Sequence, residues 1–227
     1  MKENYKEIKK WLDERKVKLV AVSKTHPVES IEMLLKMGQN VFGENKVQEL
    51  LMKNSQLPYT IEWHLIGHLQ SNKVKFIAPF ISLIQSVDSM KLLKEINTQA
   101  SKCNRVQSVL FQISIADEET KFGMEEDVCF SILESKELAL MKNIRIEGLM
   151  GMATNTENHK KVRTEFKGLK KFFDSLKKKY SSESIRLETL SMGMSSDYKI
   201  AVEEGSNLVR LGSVIFGERN YEHNSVN

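Results

Sequence analysis

The chain has 227 residues, 41% hydrophobic and 28% charged, with three prolines; this is the composition of a folded protein with a sizeable core, and it excludes a disordered or collagen-like chain. The formal net charge of +4 is mild for the length and does not choose between an anionic small molecule, a nucleic acid and plain solubility. Cys103 and Cys129 stand far apart with no CxxC spacing, so reduced thiols are expected rather than a disulfide framework or a zinc site. The opening MKENYKEIKKWLDERK is charged throughout, and nowhere do 18 apolar residues run together, so the chain is expected to be cytoplasmic, without a signal peptide or a membrane span.

In chain order, the apolar run 17–23 (VKLVAVS) has strand character, and a helical period follows over 28–37. The unit repeats as a strand over 41–43 before a helix through 49–53, a strand over 62–66 before a helix over 72–78, and a strand over 83–87 before a helix over 90–100. In the second half, 106–115 (VQSVLFQISI) precedes a helix over 124–138, and 144–150 precedes a long helix over 157–180. A strand over 186–190 then leads to a short helix over 197–204, and a last strand over 208–211 brings the count to eight. Strict alternation argues for a parallel sheet, because parallel strands need a crossover between them, and no Pro- or Gly-rich linker divides the chain. The expected fold is therefore α/β, a single (β/α)8 TIM-type barrel, as one domain over 1–227. A doubly wound open sheet competes, but neither GxGxxG nor GxxxxGK[ST] follows the first strand.

The most basic stretch, HKKVRTEFKGLKKFFDSLKKKY, sets Val162, Phe166, Leu169, Phe172 or Phe173, and Leu176 at helical spacing with the lysines opposite. That is a solvated outer helix, and no nucleic-acid partner is expected.

Barrel chemistry sits at the C-terminal ends of strands, and Lys24 stands there, directly after VKLVAVS. A lysine ending an apolar strand is expected to have a depressed pKa and a nucleophilic amine suited to a Schiff base, although a strand-end lysine can simply reach solvent. The last two βα units, the usual phosphate site of barrels, read LSMGMSSDYKIAVEEG and LVRLGSVIFGER. Ser195 and Ser196 precede a helix start together with Asp197, offering hydroxyls, N–H groups and the helix dipole to an anion, or else forming an ordinary cap. Gly212 allows close backbone approach, and Ser213 adds another N–H and hydroxyl. Arg210, inside an apolar strand, needs a partner, either a structural carboxylate or a ligand atom. FGENKVQEL and WHLIGHLQSNK place Glu44, Asn45, Gln48, His64, His68, Gln70 and Asn72 at two further strand ends, expected to line the same mouth or to satisfy one another. HLIGH has the spacing of HExxH, but Leu65 replaces the glutamate and Gly67 disfavours a helix, so no metal is expected.

Taken together, LVAVSKTHPVESI, FGENKVQEL, WHLIGHLQSNKVK, IQSVDS, ETKFGM, EGLMGMAT and LSMGMSSDYKIAVEEGSNLVRLGSVIFGER closely resemble the pyridoxal phosphate homeostasis protein family, the YggS/PROSC type, related in fold to the N-terminal barrel of alanine racemase. The resemblance implies pyridoxal 5′-phosphate as cofactor, with Lys24 forming its Schiff base and Ser195, Ser196, Gly212 and Ser213 holding its phosphate. Arg210 would face the pyridine nitrogen and so weaken the ring as an electron sink, and Asn45, His64 and Met150 would surround the ring. The chain ends soon after GERN, without the racemase β-domain that supplies a catalytic tyrosine, which counts against two-base racemisation. Its N-terminal helix is shorter than the resemblance leads one to expect. The implied role is to buffer the cofactor or deliver it, with apo-enzymes and free amino acids as exchange partners and a monomer as the working form. The competing readings are a low-rate racemase or lyase using Lys24 and His64 as bases, and an aldolase-type Schiff base to a sugar phosphate.

Overall fold

Eight parallel strands close into a barrel in chain order, with the last strand pairing the first. The structure is a computed structural model and describes residues 2–117 and 123–217; residues 119–122 of the ETKFGM block and 218–220 of the GERN run lie outside these. The strands are β1 (Lys18–Val22), β2 (Val41–Glu44), β3 (Glu62–Leu65), β4 (Leu83–Val87), β5 (Gln107–Ile113), β6 (Ile144–Gly151), β7 (Ile185–Ser191) and β8 (Leu208–Leu211). Around them lie α1 (Lys2–Asp13), α2 (Val28–Leu35), α3 (Val47–Asn54), α4 (Val74–Ile77), α5 (Met90–Lys102), α6 (Glu126–Leu133), α7 (Lys136–Ala139), α8 (His159–Lys179), α9 (Tyr198–Glu203) and α10 (Ser213–Phe216). The expected (β/α)8 barrel is thus observed. No helix among the described residues is long and apolar enough to cross a membrane.

Helix boundaries follow local capping. The helix expected over 124–138 is two: α6 ends at Leu133, and the Ser135 hydroxyl accepts the Leu138 N–H at 3.1 Å to start α7. The long basic helix begins one residue after Asn158, whose side chain accepts the Lys161 N–H, and buries Val162, Phe166, Leu169, Phe172, Phe173 and Leu176 as its spacing predicts. The segment expected to be helical over 72–78 opens as a 3-10 turn, Ser71–Lys73, before α4. In α1, Tyr5 and Leu12 are buried, and the Tyr5 hydroxyl donates to Gln39 Oε1 at 3.3 Å.

The large apolar core lies between strands and helices, where the outward side chains Val109, Phe111 and Ile113 of β5 join Phe166, Leu169 and Phe172. Within the barrel, a small apolar cluster of Leu83, Leu110 and Met150, with Met152 against it, shares the interior with polar groups. A bulge sets this arrangement: the pairing of β6 with both β5 and β7 slips between Ile146 and Gly148, which brings Met150 and Met152 to the inner face. Gly148 has φ +154°, and a Cβ there would lie 1.7 Å from the Thr189 carbonyl oxygen. Gly168, mid-way along α8, has nothing within 4 Å of such a Cβ. Replacing Gly148 by Ala should therefore destabilise the fold by about 3 kcal/mol or more. Gly168→Ala should stabilise it by roughly 0.5–1 kcal/mol, and urea unfolding midpoints of the two variants check both signs.

Candidate functional site

One cleft of about 410 Å3 opens at the C-terminal ends of the strands. Lys24 enters it after β1, Asn45 after β2, Ile66 after β3, Met152 after β6, Ser195 and Ser196 after β7, and Gly212 and Ser213 after β8, with Arg210 rising from β8 itself. Barrel closure makes this possible, because β1 pairs with β8 (Val20 opposite Arg210, Ala21 opposite Leu211) and so sets loops from the two ends of the chain side by side. The Gly212 turn lies close against β1: a Cβ at Gly212 would stand 3.2 Å from the Val22 carbonyl oxygen. His26 stacks on Phe216, ring centroids 4.8 Å apart, and ties the Lys24 loop to α10.

Across the cleft, the turn before α9 is closed by Asp197, whose Oδ1 accepts the Met194 N–H at 2.6 Å while its backbone N–H donates to the Met194 carbonyl. Ser195 and Ser196 lie within that turn. The Ser195 hydroxyl oxygen faces two N–H groups of the neighbouring turn, Gly212 at 3.3 Å and Val214 at 3.5 Å. Two backbone N–H groups and a hydroxyl therefore converge from adjacent strand ends through long, weak contacts.

Arg210 is buried, and its protein partners are a hydroxyl and a backbone carbonyl rather than the structural carboxylate that the sequence allows. Nη1 donates to Ser191 Oγ at 2.5 Å and Nη2 to the Gly151 carbonyl at 3.0 Å. Burial pulls the guanidinium down to about 10, and the charge of Asp197 partly opposes this. Ser191 in turn donates to Gln85 Oε1 at 2.7 Å, and Gln85 Nε2 lies 3.0 Å from His64 Nδ1. The Gln85 amide sets the directions along this chain: its Oε1 only accepts, so the Ser191 hydroxyl donates to it, and its Nε2 only donates, so His64 Nδ1 is the acceptor. Burial, with the charge of Lys18 adding to it, pulls His64 down to about 3, so its imidazole is neutral.

Seven of the nine residues singled out from the sequence, Lys24, Asn45, Ser195, Ser196, Arg210, Gly212 and Ser213, line the cleft. His64 and Met150 do not. His64 sits two residues down β3 from Ile66, which takes the wall position, and faces a second hollow at the opposite barrel end. Met150 lies in the interior apolar cluster, and Met152, the next residue inward-facing on that chain, reaches the cleft. Glu44, expected at the mouth, points the other way and is fully buried against Lys53 and Ser23. Gln48, His68 and Gln70 line a separate recess of about 200 Å3 beside Asn45, without Asn72. Among the described residues no group of three or more His, Cys, Asp or Glu could hold a metal ion.

A closed parallel barrel whose strand ends gather a lysine, two hydroxyl-bearing turns and a buried arginine defines a protein of the alanine racemase N-terminal barrel class. In agreement, the family model "Alanine racemase, N-terminal domain" matches residues 1–220. The chain is 42% identical to the pyridoxal phosphate homeostasis protein of Aquifex aeolicus over 206 residues, covering 90% of this chain and 88% of that one. It is 38% identical to the protein of that name from Schizosaccharomyces pombe, covering 90% and 85%. The solved structure of PipY from Synechococcus elongatus PCC7942 with PLP bound superimposes with a TM-score of 0.80 at 33% identity, over 89% of this chain and 93% of that one. The chain belongs to the pyridoxal phosphate homeostasis protein family.

The neutral His64 has a consequence for stability. Unfolded, the imidazole titrates near 6.5, and folded near 3, so between these values only the unfolded chain binds the proton. Stability should fall as pH drops through this window, by about 1.4 kcal/mol per pH unit from this group. His64→Asn, which keeps an acceptor for Gln85, should flatten that slope, as measured by urea unfolding between pH 6.5 and 4.5.

Proposed function

We propose that this protein binds pyridoxal 5′-phosphate, holds it reversibly as a Schiff base on Lys24, and buffers it or passes it to apo-enzymes. The observation that carries this reading is the sharing of one cleft by Lys24, the Ser195–Ser196 turn and the Gly212–Ser213 turn. Its support from relatives is the name carried by the Aquifex aeolicus protein and the PLP bound in PipY.

The residues present fit this cofactor. Ser195, Ser196, Gly212 and Ser213 would hold the phosphate, and the Gly212 and Val214 N–H groups, which make only weak contacts with Ser195 Oγ, would be available to a charged acceptor. Arg210 keeps donors beyond those given to Ser191 and Gly151 and would offer one to the pyridine nitrogen, where a donor-only group would leave that nitrogen unprotonated. Asn45 would contact the cofactor, while His64 and Met150, which do not line the cleft, would support it from below. When bound, the cofactor supplies an aldehyde that condenses reversibly with primary amines, and free amino acids or a recipient lysine can displace the Lys24 amine.

Holding is favoured over turnover because Lys24 and Arg210 are the ionisable side chains among the described residues lining the cleft. His64, the second base that a racemase or lyase would call upon, lies below the cleft, and burial, which pulls its imidazole down to about 3, leaves it a weak proton acceptor. The eight strands close one barrel, which supports reading the chain as a single domain.

The test is the visible absorption spectrum of the protein with added pyridoxal phosphate, before and after borohydride, with intact mass measured on the reduced product. The wild-type chain should show a reducible band and one cofactor mass added, and Lys24→Ala should show neither. Exchange of amino-acid Cα protons at turnover rates, dependent on Lys24, would overturn the holding role in favour of an enzyme.

A further inference from the structure

The ion cluster behind Lys24 belongs to no part of the proposed binding site, and its members are costly to bury. Lys53 is 1% exposed and Glu44 0% exposed. The Lys53 ammonium donates at 2.7 Å to each of three acceptors: Glu44 Oε1, Glu49 Oε1 and the Ser23 carbonyl. The Ser23 hydroxyl also donates to Glu44 Oε1 at 2.7 Å, while Glu44 Oε2 has no partner. Burial raises the Glu44 carboxyl, and Lys53 opposes that rise. Buried pairs of this kind seldom add net stability over apolar packing, so their role lies elsewhere.

Its geometry indicates that role. The Ser23 carbonyl belongs to the peptide unit entering Lys24, and Lys53 holds it. The Thr25 N–H belongs to the peptide unit leaving Lys24, and Glu49 Oε1 accepts it at 2.6 Å. Both peptide planes that meet at the Lys24 Cα are thus fixed by one bonded pair, Lys53 and Glu49 of α3. Fixing both planes fixes φ and ψ of Lys24, and with them the direction of its Cα–Cβ bond. The turn also needs restraint, because Thr25 has φ +66°, a left-handed conformation that a β-branched residue resists.

We infer that Glu49, anchored by Lys53, is a positioning residue for Lys24: it holds the strained Thr25 turn so that the Lys24 amine enters the cleft in one orientation. This rests on the proposed role of Lys24, and the test separates the two. Wild type, Lys24→Ala, Glu49→Ala and Glu49→Gln are compared for the rate at which added pyridoxal phosphate is captured, read as growth of the visible band and as borohydride-trapped mass, with urea unfolding in parallel. Glu49→Ala removes the Thr25 acceptor but leaves the Lys53–Glu44 pair, and should slow capture by about tenfold to a hundredfold. Glu49→Gln keeps an oxygen for the Thr25 N–H and should stay within about twofold of wild type. In a Thr25→Gly background, where φ +66° carries no strain, Glu49→Ala should cost less than it does in the wild type. If Lys24→Ala loses the adduct while Glu49→Ala captures at the wild-type rate, the positioning role fails and the Lys24 reading stands. Equal slowing in Glu49→Ala and Glu49→Gln, in step with equal losses of stability, would also overturn it. If Lys24→Ala is trapped as fully as wild type, both readings fall.

Discussion

The interior of this barrel is organised around a buried guanidinium that stays charged at neutral pH. Barrels of this class ordinarily fill their centre with branched apolar side chains, but here Arg210 rises through β8 and must be met by acceptors wherever it lies. Ser191 from β7 and the Gly151 carbonyl from β6 meet it directly, and Gln85 from β4 and His64 from β3 continue the chain. Five strands are thereby cross-tied by polar contacts inside the barrel. Removing one link would leave a buried donor unmatched, at a cost of about 1–3 kcal/mol for a neutral group and more for the guanidinium. The large apolar core lies outside this network, between the strands and the helices.

The cleft above inherits its precision from two such commitments. On one side the donor-only guanidinium is fixed in direction by Ser191 and Gly151. On the other, the backbone around Lys24 is fixed by Lys53 and Glu49. Between them, β1 and β8 run in register, so the loops bearing Lys24 and Gly212 are neighbours although nearly 190 residues separate them in sequence. Closure of the sheet, rather than any local motif, is what makes one site of the two ends of the chain.

Much of this was legible in the sequence. Alternating apolar runs and helical periods marked all eight strands; a lysine ending an apolar strand marked Lys24, hydroxyls before a helix start marked Ser195 and Ser196, and a glycine after the last strand marked Gly212. What escaped reading depends on which way a side chain turns, and that follows register. Glu44 and Asn45 are adjacent in FGENK yet face opposite sides, one onto α3 and the other into the cleft. His64 and Ile66 share a face of β3 but differ in height, so the isoleucine lines the cleft and the histidine does not. In β6, the slip at Gly148 changes which residues point inward, and simple alternation from Ile144 cannot foresee it. The break between α6 and α7 was available in principle from Ser135, a capping residue inside an otherwise continuous apolar period. The Lys53 cluster left a fainter trace, a glutamate closing the strand VFGE and a Glu49–Lys53 pair one helical turn apart.

Three carboxylates around the strand ends are each tied down away from the cleft wall. Asp197 gives an oxygen to the Met194 N–H, Glu49 to Thr25 and Lys53, and Glu44 to Lys53 and Ser23. Each is occupied in shaping a loop, and none of them lines the cleft. The wall that remains, among the described residues, carries two cations, three hydroxyls and the N–H groups of the Gly212 turn. Local potential is therefore set by where the negative charges are tied down, not by the total charge of the chain. The contacts that fold the loops at the strand ends are the same contacts that keep carboxylates off the wall, so the shape of the cleft and the positive charge of its lining have a single structural cause.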